Sequence, residues 1–401
     1  MMGERAKILI VDDEPFNIEY LEQELEDHDY VTINAENGWM ALERVAAEAP
    51  DLILLDILMP EMDGFEVLAR LKGDKDMRDI PVIVISALDD MDSVVHGIEQ
   101  GAEDYLPKPF DPVLLHARIR SSLEKKRLRD QEHLYLKALE RELEIGREIQ
   151  AEFLPSELPQ PSGWEIATFF QAAHEVAGDF YDAFTLAQNG MIGLLVGDVC
   201  GKGVGAALYM TIFRTLLRAV IGLDEFTNKL EASTPPTENS LVHHSDHLKQ
   251  AISLTNNYVA ENHHRSCRFA SIFFSALDPV TGSLIFINAG HEPPIIFNVD
   301  RVKSQLMPTG PVVGAFLEVD FTVGIAQLEP GDILFMFTDG VTEARSTSGD
   351  LFGPERLLEL LEYPRETAKA LLGHIAAVLQ EHQGNAGQYD DIAMLAVRRI
   401  L

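Results

Sequence analysis

Residues 192–204, IGLLVGDVCGKGV, decide how the larger part of this chain is read. An apolar run, Ile192–Val196, leads into Asp198, and Gly197, Gly201 and Gly203 then allow a tight turn and close backbone approach. A helix beginning near Gly205 can aim its N–H groups at an anion. Related layouts recur three times. Asp179 sits in AGDFYD, read as lying just after a strand of mixed apolar and polar residues. Asp339 follows the strand Ile333–Phe337 in MFTDGVTEA, and Asp390 and Asp391 precede the last strand in YDDIAMLAV. One aspartate before a glycine is ordinarily a turn residue. Four in this order, each abutting an apolar strand, are expected to converge at strand ends, where grouped carboxylates hold divalent cations and suit phosphate hydrolysis.

Working outward, strand-like segments dominate the rest of this region: Glu165–Phe170, Ala270–Leu277, Ser283–Asn288, Ile295–Asn298 and Ile392–Val397. Two helices, near Gly205–Ile221 and Arg365–His382, interrupt them. Many strands and few long helices predict a two-sheet sandwich flanked by helices, an α+β domain over 155–401. Residues 222–248 are polar, carry Pro235-Pro236 and read as a surface insertion. His243, His244 and His247 within it have no rigid frame and are read as chance neighbours. Cys200 lacks an arginine-bearing loop and is assigned to packing.

The first 120 residues have a different grammar. Short apolar runs, Lys7–Val11, Tyr30–Asn34, Leu52–Leu55, Pro81–Ile85 and one ending at Leu106, alternate with helical stretches near 16–27, 40–48, 65–72 and 92–100. That alternation predicts an α/β, doubly wound, five-stranded parallel sheet with its site outside the strands' carboxyl ends. Asp12, Asp13, Asp56, Ser86 and Lys108 all fall at those ends. Three carboxylates together call for a hard divalent cation, typically Mg²⁺. With the charge so balanced, the Asp56 carboxylate can attack a phosphoryl group. Lys108 would pair with the product, Ser86 would bond it, and Tyr105 would report the change at the surface.

Between the two lies a helical linker, 121–154, glycine-free except at Gly146 and ending before Pro155. Leu136, Leu139, Leu143, Gly146 and Phe153 follow a 3-4 spacing that predicts a coiled-coil seam and a homodimer, with Glu132 and Gln150 as imperfect members. The other reading is a helix packed on its own C-terminal domain.

Composition sets the outer bounds. At 401 residues the chain needs more than one core. A net charge of -33 argues against a nucleic-acid partner. The longest apolar stretch noted, Leu52–Met59, is interrupted by Asp56, so no membrane span is expected. The N-terminus lacks an export signal, and two cysteines fit a cytoplasmic protein.

VDDE, LLDILMPEMDG, ISA and YLPKPF resemble the response-regulator receiver family. The resemblance implies Asp56 as phosphoacceptor, Asp12, Asp13, Asp56 and the Leu58 backbone as Mg²⁺ ligands, and a cis Lys108–Pro109 bond. It also implies a sensor histidine kinase or other phosphodonor as partner. AGDFYD, VGDVCGKG, FTDG and YDDIAML resemble the metal-dependent PPM-type serine/threonine phosphatases, in the bacterial stress-response and sporulation branch that acts on anti-anti-sigma proteins. By that resemblance Asp198 bridges two Mn²⁺ or Mg²⁺ ions and the Val199 carbonyl adds a ligand. Asp339 and Asp390 complete the second ion's shell, Asp179 contributes directly or through water, and Asp391 matches a more variable position. The leaving group's proton donor stays unassigned between His174 and His291. Two rival readings are a receiver-controlled pseudophosphatase adaptor and a nucleotide cyclase. The adaptor would have lost the carboxylates. The cyclase rests on a superficial likeness of AGDFYD to the GGDEF signature and leaves the later motifs without a place.

Overall fold

In the computed structural model, residues 5–26, 28–87, 91–186, 190–231, 240–263, 268–362 and 367–400 are described. The chain divides into two compact units at Glu140/Arg141. The first contains β1 (Lys7–Val11), α1 (Pro15–Glu26), β2 (Val31–Ala35), α2 (Gly38–Glu48) and β3 (Leu52–Asp56). It continues with α3 (Gly64–Gly73), β4 (Val82–Ser86), α4 (Met91–Glu99) and β5 (Asp104–Pro107). The strands form one parallel sheet in the order β2-β1-β3-β4-β5. Every residue of β3 and β4 is buried, as strands covered on both faces must be. Leu9, Leu55 and Val84 face a core shared with α2 and α3, whereas Ile8, Leu54 and Ile83 face α1 and the start of α5.

Helix α5 runs without a break from Pro112 to Phe153. Its first turns belong to the first unit's core through Leu115 and Ile119, so the linker expected from residue 121 continues a helix that has already begun. Glu103 holds the next turns through Lys125 at 2.9 Å and Arg129 at 3.2 Å. Leu128, Leu136 and Leu139 are exposed. Farther along, the expected seam changes character. Gln150 is buried, donates to the Ala177 carbonyl at 2.6 Å and accepts from the Ala177 amide at 2.9 Å. That end of the helix is joined to the C-terminal domain's own chain.

The second unit holds β6 (Trp164–Gln171), β7 (Phe180–Thr185), β8 (Ile192–Val199), α6 (Val204–Glu231), α7 (Ser240–Asn262), β9 (Ala270–Leu277) and β10 (Ser283–Ala289). After these come β11 (Ile295–Phe297), β12 (Val302–Gln305), β13 (Gly324–Gln327), β14 (Ile333–Phe337), α8 (Pro354–Leu361), α9 (Ala368–Gln383) and β15 (Ile392–Arg399). Two antiparallel sheets, β13-β10-β9-β8-β7 and β12-β11-β14-β15-β6, stack face to face. Leu194, Val196, Phe273, Met336 and Leu395 fill the space between them. Phe213, Leu217 and Ile252 of α6 and α7 cover the outer face of the first sheet. Leu357, Leu371 and Ile375 of α8 and α9 cover the second.

Two expectations change here. Val204–Gly222 of α6 is, by length and composition, long and apolar enough to cross a membrane, contrary to the expectation that no stretch comes close. Its apolarity has a local cause: Ala206, Met210, Phe213 and Leu217 are buried in the core against β7, β8 and β9. Residues 222–248, read as an irregular insertion, are largely helical, because α6 continues to Glu231 and α7 begins at Ser240. The part of that tract containing Pro235-Pro236 lies outside the described residues.

Candidate functional site

In the first unit, Asp12, Asp13 and Asp56 bring one carboxylate oxygen each within 4.8 Å of the others. They come from the ends of β1 and β3, which are neighbours in the sheet. Lys108 reaches across to Asp12 at 2.7 Å and Asp56 at 3.1 Å. Asp56 also accepts from the Ile57 amide at 2.8 Å. Burial pushes the Asp56 carboxyl up, and Lys108 works against that rise. The Lys108 ammonium is itself held above its usual range: burial lowers it, but Asp12 and Asp56 outweigh the burial. Ser86 is fully buried at the end of β4, Tyr105 is buried on the adjacent β5, and the Leu58 side chain is exposed. The Lys108–Pro109 bond is cis, as the resemblance implied. Asn17, which the motif reading passed over, donates to Asp12 Oδ1 at 2.9 Å.

In the second unit the site grows out of strand alternation. Side chains two residues apart share a sheet face, so each row of the inter-sheet core can be followed to its end. On β8, Leu194 and Val196 lead to Asp198. On β9, Phe273 leads back to Ser271, which pairs directly with Asp198 across the ladder. Met336 leads to Thr338, Ala393 back to Asp391, and Tyr181 back to Asp179. The apolar core therefore gives way at one end to polar groups in or immediately beside five strands. Asp179 stands immediately before β7, eight residues after β6 ends at Gln171, rather than just after a strand as expected; Asp198 lies within β8 itself. The FYDAFT strand was missed because Asp182 interrupts it. Asp182 is fully buried and paired with Arg214 of α6 at 3.0 Å.

The carboxyls are electrostatically frustrated. Asp179 is pushed well up, first by burial and then by Asp198. Burial raises Asp198 to about 6, with Asp390 and Asp391 adding to the rise. Burial raises Asp339 to about 7, followed by repulsion from Asp198, Asp390, Glu343 and Glu292. Asp391 is committed to the backbone: it accepts from the amides of Ala173 and Gly178, both at 2.7 Å, and so fixes the loop that presents Asp179. The Val199 carbonyl approaches the same loop, 3.1 Å from where a Cβ on Gly178 would sit. At Gly340 a Cβ would lie 1.9 Å from the Asp391 carbonyl, so the Asp339 turn presses against the Asp390–Asp391 backbone as only glycine permits. Asp390 accepts from the Asp391 amide at 3.0 Å and pairs with Lys202 at 3.0 Å.

Sequence reasoning also missed three supporting groups. Thr338 bonds Asp179 and accepts from the Ala393 amide at 3.0 Å. Ser271 and the buried His291 meet at 2.8 Å, and burial lowers His291 to about 4, which keeps it neutral near pH 7. Lys202 sits in the GKG turn that was valued only for its glycines. Strand alternation run past the strand ends would have flagged Thr338 and Ser271; nothing local in the sequence flags Lys202.

Fold and site together define a phospho-signalling protein: a receiver joined to a PPM-type phosphatase domain. The sequence profile of Stage II sporulation protein E matches residues 188–400, and that of the response regulator receiver domain matches 8–120. The chain belongs to the Stage II sporulation protein E family through its C-terminal domain and carries a response-regulator receiver domain before it. It is 40% identical to Protein IcfG of Synechocystis sp. over 266 residues, covering 64% of this chain and 41% of IcfG. It is 47% identical to Response regulator PleD of Caulobacter vibrioides over 116 residues, 29% of this chain and 26% of PleD. The chain thus spans less than half of these relatives. Among solved structures, the SiaA-PP2C domain of Pseudomonas aeruginosa superposes with a TM-score of 0.51 at 22% identity, over 66% of this chain and 98% of that one, a likeness of fold.

Proposed function

We propose that the C-terminal domain is a metal-dependent serine/threonine protein phosphatase, that its substrate is a small anti-anti-sigma-like phosphoprotein, and that phosphorylation of Asp56 regulates it. The observation that carries this reading is the row of carboxyls Asp179, Asp198 and Asp339, the first buried and the others partly so, all raised by burial and by repulsion from neighbouring carboxylates. An all-oxygen, acid-rich donor set suits a pair of Mn²⁺ or Mg²⁺ ions. Asp198, Asp339, Asp390 and the Val199 carbonyl would hold them, with Asp179 supporting. When bound, such ions supply Lewis-acid activation of water and neutralise charge on the phosphoryl group.

The chain's own groups do the positioning. Asp391 fixes the 173–178 loop, and Thr338 orients Asp179. Neutral His291 holds the Ser271 hydroxyl beside Asp198. A neutral, buried His291 does not supply the leaving group's proton. In the receiver, Asp12, Asp13, Asp56 and the Leu58 carbonyl would hold Mg²⁺, Asp56 would accept a phosphoryl group from a histidine kinase or other donor, and Ser86, Tyr105 and Lys108 would relay the change. The exposed leucines of α5 support a homodimer through its middle third. The chain is read as cytoplasmic.

The test is hydrolysis of p-nitrophenyl phosphate and of a phosphoserine protein by the full chain with Mn²⁺, beside Asp198→Ala and Asp339→Ala. Turnover that needs metal and vanishes in both variants supports the reading; a metal-loaded wild type that hydrolyses neither substrate refutes it. Acetyl phosphate added to wild type and Asp56→Ala tests coupling, and identical rates in all four conditions would defeat the regulatory part.

A further inference from the structure

Lys202 is a cation placed where the proposed reaction lacks one. Its ammonium pairs with Asp390 Oδ2 at 3.0 Å and donates to the Tyr389 carbonyl at 2.6 Å. It also lies 4.4 Å from the Tyr389 ring centroid, and the Arg345 guanidinium lies 3.8 Å from the same centroid. Both contacts are within cation–π range. In a chain of net charge -33, this puts two cations on one half-exposed tyrosine at the rim of the carboxylate pocket.

The charge balance gives that rim a purpose. Asp179, Asp198, Asp339 and Asp390, if ionised, cancel two divalent cations, leaving no positive charge over for a phosphate monoester dianion. Both oxygens of Asp390 are engaged without metal: Oδ1 accepts from the Asp391 amide and Oδ2 holds Lys202. A cation that takes Oδ2 competes with Lys202 for it, and the lysine side chain, 41% exposed, has solvent on one side into which it can turn. The geometry points to Lys202 as an exchangeable counter-ion. It neutralises Asp390 until metal enters, and then contacts the phosphoryl oxygens of a phosphoserine or phosphothreonine monoester from the Tyr389–Arg345 rim. This rests on the metal-dependent reading above and adds a substrate-contacting residue to it.

Two equilibrium measurements test it without turnover, in a full-length Asp13→Ala background that weakens the receiver's own cation site. In a calorimetric Mn²⁺ titration, Lys202→Met removes a competitor for Asp390 and is expected to bind Mn²⁺ more tightly, by up to about 5-fold, the scale of one partly exposed ion pair. Inorganic phosphate titrated into the Mn²⁺-loaded protein is expected to bind roughly 10-fold more weakly to Lys202→Met, whereas Lys202→Arg stays near wild type. Unchanged or weaker Mn²⁺ binding by Lys202→Met overturns the exchange, and unchanged phosphate affinity overturns the substrate contact. Both results can stand or fall in a protein that hydrolyses nothing, so failure of the reaction is read separately. A background protein that takes up no Mn²⁺ overturns the inference and the metal-dependent reading together.

Discussion

The molecule carries two acidic sites, and they differ in how their charge is balanced. In the receiver, Lys108 sits between Asp12 and Asp56 and supplies a cation from within the fold. In the phosphatase domain, among the described residues, Asp179, Asp198 and Asp339 have no lysine or arginine paired directly with them, Lys202 being held by Asp390 instead, and burial drives all three up. A lysine beside a carboxylate keeps the receiver site poised and readable by an incoming phosphoryl group. On the proposed function, a pocket of unbalanced acids would instead be held ready for ions that arrive from solution. On that same proposal, the difference would separate a switch, which must be stable in both of its states, from a catalytic centre that is complete only when loaded.

The sharpest way to break this contrast is to remove one acid from each site. Asp198→Asn or Asp339→Asn is expected to lower turnover on p-nitrophenyl phosphate by more than about 100-fold, since even groups that merely orient metal ligands are worth 10- to 100-fold. Asp13→Asn is expected to leave basal turnover unchanged. Comparable losses from all three would erase the distinction.

Stability against pH sharpens it next. Asp198 and Asp339 titrate near 6 and 7 in the folded chain, above the ordinary 3.8. The metal-free native state therefore holds protons that the unfolded chain has released, and stability falls as pH rises from about 4 to about 7. Differential scanning calorimetry without metal should show the phosphatase transition moving to lower temperature over that window. Mn²⁺ at pH 7 should reverse the loss, and Asp339→Asn should flatten the dependence. A metal-free transition that climbs over the same window contradicts the charge assignment.

Smaller effects follow from single partners. Lys108→Met leaves Asp12 and Asp56 unbalanced and is expected to cost the receiver about 2 kcal/mol in urea denaturation, with Mg²⁺ recovering part of it. Asp391→Asn keeps one acceptor for the 173–178 loop and loses the charge, for about 1 kcal/mol. If Asp391→Asn costs more than Lys108→Met, the loop and not the receiver is the strained element.

Much of this was legible in the sequence. Uninterrupted apolar strands such as LILLD and VIVIS, alternating with helical stretches, read as a parallel sheet covered on both faces, and the receiver followed directly. The sandwich was legible wherever strands were apolar and failed at FYDAFT, because Asp182 is balanced by Arg214, 32 residues later on another element. Helix α7 escaped notice because its polar stretches mask a stripe of Leu248, Ile252 and Val259 facing the core. The seam reading gave Gln150 a slot in a coiled coil, whereas its amide is satisfied by both backbone groups of Ala177. At FYDAFT and at Gln150 a long-range polar partner had taken over from local pattern.

Counting cations bears on the contrast most directly. Calorimetric titration of the full-length wild type with Mn²⁺ near pH 6 should reveal two sites beyond the receiver's single one. Filling them should release protons from Asp198 and Asp339, seen as a heat that varies with buffer ionisation enthalpy, and Asp339→Asn should remove at least one of them. A titration that ends after one ion, with no proton released and no change in Asp339→Asn, would contradict it.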